Sequence, residues 1–201
     1  MRKSALSEVN NDGKEAIDVQ QPFSVRAVVQ GSAPFLFHRW SNEAVAEKAK
    51  AAKNSRAKKE DNLESYVYRT DKSELAIPSE YFRQSIIHAA KFRQDPRSPR
   101  KSAMDLFKAA IVCLNELCPL GVKDWDYLDR RRVLIQRNAI TRVRPAMLSG
   151  WKVSFDMMVL IPEYVDESLL LETLTQAGRL IGVGDFRPTF GRFQVVSFKR
   201  I

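Results

Sequence analysis

Between Pro22 and Gln30 apolar and polar side chains alternate. Phe23, Val25, Ala27 and Val29 fall on one face, and Ser24, Arg26 and Val28 on the other, which predicts a half-buried strand. Gly31-Ser32-Ala33-Pro34 interrupts it, and Phe35-Leu36-Phe37 resumes an apolar run. Ala44 to Lys59 is helical by propensity but lacks a continuous apolar face, which fits a segment that is mobile or docks on a partner. Tyr66–Tyr68 and Leu75–Ile77 predict a small hairpin across Asp71-Lys72. Pro78-Ser79-Glu80 opens a core helix, with Ser79 as its cap and Phe82, Ile86, Ala89 and Ala90 on its inner face. A second helix is predicted from about Ser102 to Leu117, carrying Met104, Phe107, Ala110, Ile111, Leu114 and Leu117. Val133–Val143 and Trp151–Leu160 read as two strands of one hairpin. Asp166 or Ser168 caps a further helix, Leu169–Leu180, and Phe193–Phe198 is a last strand.

Without the insertions, the order is strand, helix, strand, strand, helix, strand. This is the α+β ferredoxin-like (split βαβ, RRM-like) pattern, a four-stranded antiparallel sheet with helices on one face and the other face left for a ligand. The chain has 201 residues, enough for a core without staples. We read 1–21 as a disordered leader and 22–201 as one domain with a charged insertion at about 42–74. No apolar run approaches the roughly 20 residues that span a bilayer, and the leader has no apolar stretch of a secretory signal. Cys113 and Cys118 suit reduced core cysteines rather than a CxxC or zinc site, so the expected location is cytoplasmic and no metal or cofactor is expected.

Charge changes the picture most. Lys and Arg number 33 against 24 Asp and Glu, a net charge of +9. The excess lies in three blocks. Arg130–Lys152 holds Arg130, Arg131, Arg132, Arg137, Arg142, Arg144 and Lys152 with no acid; Arg83–Lys101 has only Asp95 against its cations; Arg179–Ile201 has only Asp185. Such blocks point to a polyanionic partner, and the expected arrangement brings them together on one sheet face and its loops. Trp40, Tyr66, Tyr68, Trp151, Phe186 and Phe190 lie near them in sequence, as stacking platforms for single-stranded bases would.

The most specific local feature is Gly182-Val-Gly-Asp-Phe-Arg-Pro-Thr-Phe-Gly191-Arg192. Gly182, Gly184 and Gly191 permit close backbone approach to a phosphate or ribose, with Arg187 and Arg192 supplying charge; a purely structural turn is the alternative. The loop leaves a helix and enters a strand, so it is not a dinucleotide fingerprint. It resembles the glycine-rich loop of the RAMP superfamily, the RNA-binding proteins of CRISPR effector complexes. Leu75-Ala-Ile-Pro-Ser-Glu-Tyr-Phe-Arg-Gln-Ser-Ile-Ile-His-Ala-Ala90 is similar to the segment that opens the first helix in those proteins. Gln30-Gly-Ser-Ala-Pro-Phe-Leu-Phe-His38 is similar to the end of their first strand. Departures are Glu80 and Ser85 where the family often has glycines, Pro188 in the loop, and a short chain.

The resemblance implies a non-catalytic subunit that binds single-stranded RNA, a guide RNA above all, multimerises along it and meets other effector-complex subunits. Expected nucleic-acid contacts are His38, Arg39, Trp40, Arg83, Arg137, Arg142, Arg144, Gly182, Gly184, Arg187, Gly191 and Arg192. His38 is also the weak catalytic candidate, because a pKa near 6.5 suits proton transfer at neutral pH. His88 reads as a half-buried structural histidine. Backbone subunits that cut RNA carry an aspartate between the positions of Gly31 and Trp40, and this chain has none there. Three alternatives stand: an endoribonuclease using His38, a phage single-stranded DNA-binding or annealing protein, and a mimic of a CRISPR subunit that binds protein partners only.

Overall fold

In the computed structural model, residues 20–40, 62–135 and 138–201 are described, with Asn42, Ala46 and Lys50. The leader as far as residue 19, most of the charged helix predicted at 44–59, and Arg137 lie outside the described residues. The chain is mixed α+β, with three α-helices and several antiparallel sheets among the described residues.

The alternation at Pro22–Gln30 does build a strand, β1 (Phe23–Gly31), whose Val25, Ala27 and Val29 are fully buried. The short β2 (Phe35–Leu36) follows, then β3 (Tyr68–Arg69) and β4 (Leu75–Pro78), which pair antiparallel as the small hairpin predicted there, with Tyr66 left outside it. Helix α1 (Ser79–Ala89) buries Phe82, Ile86 and Ala89. Ser79 does not cap it; its hydroxyl donates to the Asn115 carbonyl and ties the helix start to a later loop. A two-stranded ribbon, β5 (Gln94–Asp95) and β6 (Ser98–Ser102), leads to α2 (Met104–Ala110).

Here the sequence expectation fails. The helix predicted to Leu117 stops at Ala110, and Ile111–Cys113 becomes a strand, β7, followed by β8 (Leu117–Pro119). Ile111 is buried and Val112 is 43% exposed, the two-residue period of a strand, and Leu114 is exposed rather than core. Next come β9 (Tyr127–Ile135) and β10 (Asn138–Met147), which pair with each other; β11 (Lys152–Val159) pairs instead with β1 and β7. The expected 133–143/151–160 hairpin is therefore corrected to a 127–135/138–147 hairpin. Alternation marks each strand, but nothing local distinguishes the neighbour before it from the one after. Helix α3 (Glu167–Leu180) begins at Asp166, whose carboxylate accepts from the Leu169 amide at 2.8 Å, and β12 (Phe193–Arg200) closes the chain.

The principal sheet runs β12-β1-β11-β7, antiparallel throughout. On one face Phe82 of α1 stacks on Phe155 at 4.4 Å between ring centroids and meets Phe193 edge-on at 5.7 Å. Leu170, Leu174 and Ala177 of α3 complete this core. The opposite face carries Arg26, paired in bidentate fashion with Asp156 at 2.7 Å. A second sheet, β2-β10-β9, joins the body where Phe35 and Leu36 pair with Met147 and Ala146. Trp151 belongs to the core: it is 5% exposed, and its indole N–H donates to the Ala33 carbonyl at 2.9 Å. It is not a stacking platform.

Candidate nucleic-acid interface

The glycine loop between α3 and β12 lies against β2. The Gly191 amide donates to the Pro34 carbonyl at 2.7 Å and the Asp185 amide to Leu36 at 3.1 Å, while Val183 N–H reaches Gly191 at 2.9 Å. Gly184 (φ 83°) and Gly191 (φ 70°) have left-handed backbone, and any Cβ there would meet the carbonyl oxygens of Leu36 and Val183. Gly182 meets Gly191 in the same way. The close approach these glycines provide is to protein backbone, which holds the loop's shape and aims its polar side chains.

Those side chains converge with the hairpin. Asp185 Oδ2 faces Arg142 at 3.5 Å, Arg144 at 3.5 Å and His38 Nδ1 at 3.9 Å. Three segments distant in sequence thus supply four charged or titratable groups to one point. Arg144 has only 5% of its side chain exposed, and its guanidinium lies 3.7 Å from the centre of the Tyr66 ring. Neither His38 Nδ1 nor Asp185 Oδ2 has a hydrogen-bond partner among the described residues, because the cations stand beyond bonding distance. Burial is the main influence on His38 and pushes its pKa below the ordinary value; Asp185 opposes this, and Arg144 and Arg142 add to it. The His38 carbonyl is held by the Tyr81 hydroxyl at 2.6 Å, and burial raises the pKa of that phenol.

Around the cluster, Arg39 is exposed over the Tyr68 ring at 5.5 Å, and Trp40 is 69% exposed with its indole N–H on Asn42. Arg131 was absent from the expected contacts, yet it packs over Phe190 at 4.2 Å and is tied to Asp129. Its neighbours Arg130 and Arg132 point from the other face of β9 and are exposed, beside exposed Thr141. The signal for them was the i, i+2 spacing within the basic run, which puts alternate arginines on opposite strand faces.

The expected residues do not all gather here. Arg83 is committed elsewhere: it donates to the carbonyls of Ile111 and Lys108 at 2.7 Å and to Glu80, bracing the α1–β7 junction. Arg192 is exposed but lines a cleft with Ser32, Thr175 and Arg179, whereas Arg187 faces the His38 side. The basic blocks therefore do not share the open face of the principal sheet. Arg142 and Arg144 stand on the second sheet, because β10 pairs with β9 and β2 and not with β11.

His88 is exposed rather than half-buried, and lines the same cavity of about 640 Å³ as His38, Asp185 and Arg187. They are the only two histidines of the chain. Among the described residues no group of His, Cys, Asp and Glu can hold a metal ion, and no helix is long and apolar enough to cross a membrane.

No family model and no curated protein matches this chain. Among solved structures, a chain of the cryo-EM structure of the Type III-B Cmr-beta bound to cognate target RNA is similar, with a TM-score of 0.55 at 6% sequence identity. The match covers 90% of this chain but 61% of that one, and the likeness is one of fold.

Proposed function

We propose that this chain is a RAMP-like, non-catalytic subunit that binds single-stranded RNA by backbone contact and stacking, and that it multimerises along the strand in a CRISPR-type effector complex. The order β12-β1-β11-β7 supports the ferredoxin-like reading: with β7 as second strand and β11 as third, α1 and α3 occupy the two crossovers of the split βαβ pattern. The similar solved chain comes from an assembly bound to target RNA, which favours RNA and effector-complex partners. The observation that carries the reading is the meeting of the hairpin arginines, the His38–Trp40 segment and the glycine loop around Asp185. Cations rimmed by exposed Trp40 and by Tyr66 and Phe186 suit a strand held by phosphate contact and stacking.

The test is purification without nuclease, followed by anisotropy titration of matched RNA and DNA oligonucleotides across a salt series. RNA-preferring, salt-dependent binding in a multimer that co-purifies with a strand is the expected result. A DNA preference would move the function to single-stranded DNA binding. No affinity for either strand at low salt would overturn the reading and leave a protein-binding mimic. One observation favours a second reading, an endoribonuclease: His38 and His88 line one cavity. Metal-free cleavage of labelled RNA, lost in both His38→Ala and His88→Ala, is its signature.

A further inference from the structure

We propose that the cavity between the C-terminal end of α1 and the glycine loop seats one extruded nucleotide, its base against Phe92 and its phosphate toward Arg187. The proposal rests on the single-strand-binding reading and names what that strand inserts. The cavity measures about 640 Å³, within the roughly 300–1,000 Å³ of small-molecule sites. Its walls are of two kinds. Phe92, 61% exposed, and Leu180, 46% exposed, present uncovered apolar surface, while Lys91, Arg187 and the two histidines bring donors. Asp185 is the one acid among the described lining residues and is already faced by Arg142 and Arg144, so the lining favours an anion with a flat apolar part.

Orientation follows from the helix ends. The last turns of α1 and α3 both abut the cavity, at His88 and at Leu180. Helix C-termini carry partial negative charge, which repels a phosphate and favours the amino donors of a base. The phosphate therefore lies at the loop side, by Arg187, with Lys91 reaching across from the end of α1. Phe186, on the loop wall, is held at φ 53°, a conformation that a bulky residue rarely adopts. Its amide donates to Asp185 Oδ1 at 3.1 Å, so the carboxylate whose other oxygen faces the cations also fixes this backbone.

Two measurements on the full chain test this: calorimetric titration with AMP, adenosine and inorganic phosphate separately, and emission from an RNA oligonucleotide carrying one 2-aminopurine. AMP is expected to bind more tightly than adenosine or phosphate, and Lys91→Ala, Arg187→Ala and Phe92→Ala should each weaken it at least about fivefold. The 2-aminopurine emission should rise on binding as the base leaves the stack, and the rise should be lost in Phe92→Ala. Lys91, Phe92 and Arg187 are exposed, and unchanged circular dichroism verifies that the variants fold. If the oligonucleotide binds with no emission change and AMP does not bind at 10 mM (a level about tenfold above millimolar affinity), the cavity proposal falls and strand binding stands. If AMP binds and no oligonucleotide does, strand binding falls and takes the extruded nucleotide with it, leaving a site for free mononucleotides. Phosphate binding as well as AMP would reduce the cavity to an anion site and overturn the proposal.

Discussion

Asp185→Asn separates stability from binding. The change removes the negative charge that faces Arg142, Arg144 and His38 among the described residues, while the retained oxygen can still accept from the Phe186 amide. Stripping the partner from a fully buried ion pair costs about 3–5 kcal/mol. Here Arg144 keeps its stacking on Tyr66 and its bond to the Val143 carbonyl at 2.9 Å, and Arg142 is partly solvated, so the expected loss is about 1–2 kcal/mol. For a chain of this size that is a fall in Tm of about 2–8 °C. Strand affinity should move the other way. One net positive charge gained at contact distance from a phosphate is worth about 1 kcal/mol in a water-like dielectric, or about fivefold in Kd. The dependence of log K on log salt should steepen by about 0.7 if Arg142, the more exposed of the two arginines, takes one further phosphate. Differential scanning fluorimetry and anisotropy titration at several salt concentrations measure both quantities. A variant that is less stable yet binds more tightly cannot be explained by general damage. If Asp185→Asn folds and binds RNA equally or more weakly, the cluster is a structural brace and the strand does not pass over it.

His38, with its pKa held below the ordinary 6.5, is neutral in the fold, so the unfolded chain binds more protons just below that value. Its contribution to stability is thus present above about pH 6.5 and lost as the pH falls toward the folded value; His38→Gln should flatten this part of the Tm–pH profile, and an unchanged slope would refute the assignment. Trp40→Ala should cost about 1–3 kcal/mol of strand affinity with little change in Tm, because the ring is 69% exposed; equal affinity would remove Trp40 from the strand's path. Gly191→Ala would set a Cβ 1.7 Å from the Val183 carbonyl oxygen in left-handed backbone, so it should destabilise by more than about 2 kcal/mol in denaturant titration.

What was legible in the sequence was local. The alternation at Phe23–Val29, the inner face of α1 and the Asp166 cap each depend on residues within a turn or two, and each has the expected place in the fold. What failed needed knowledge of distant neighbours. Ile111-Val112-Cys113 reads as the tail of a helix until β11 is known to lie alongside it, and Trp151 looks available for stacking until the Ala33 carbonyl is found at its N–H. The candidate site divides in the same way. His38, Arg142, Arg144 and the glycine loop were visible as basic or flexible motifs, and they meet. Asp185 carries the opposite sign from the basic blocks, and no local pattern marks it as the point on which the others converge. Arg83 had the right charge, but its bonds to two backbone carbonyls are invisible to a search by composition.

The β9–β10 hairpin is held to the body unevenly. Ladder pairing with β2 involves only Ala146 and Met147, and the side-chain ties described above reach no further than Arg131 and Arg142. The ladder itself continues to the Ile135–Asn138 pair, eight residues along β10 from the Ala146 that pairs with β2. Amide hydrogen exchange should therefore show a gradient along the hairpin, slow at Ala146 and quickening toward Asn138. The Ala146 end would then exchange only through global opening, while the end at Asn138 opens first. A change at the Ile135–Asn138 end should therefore leave exchange in the principal sheet unaltered, so that this end is free to vary without cost to the fold that carries it.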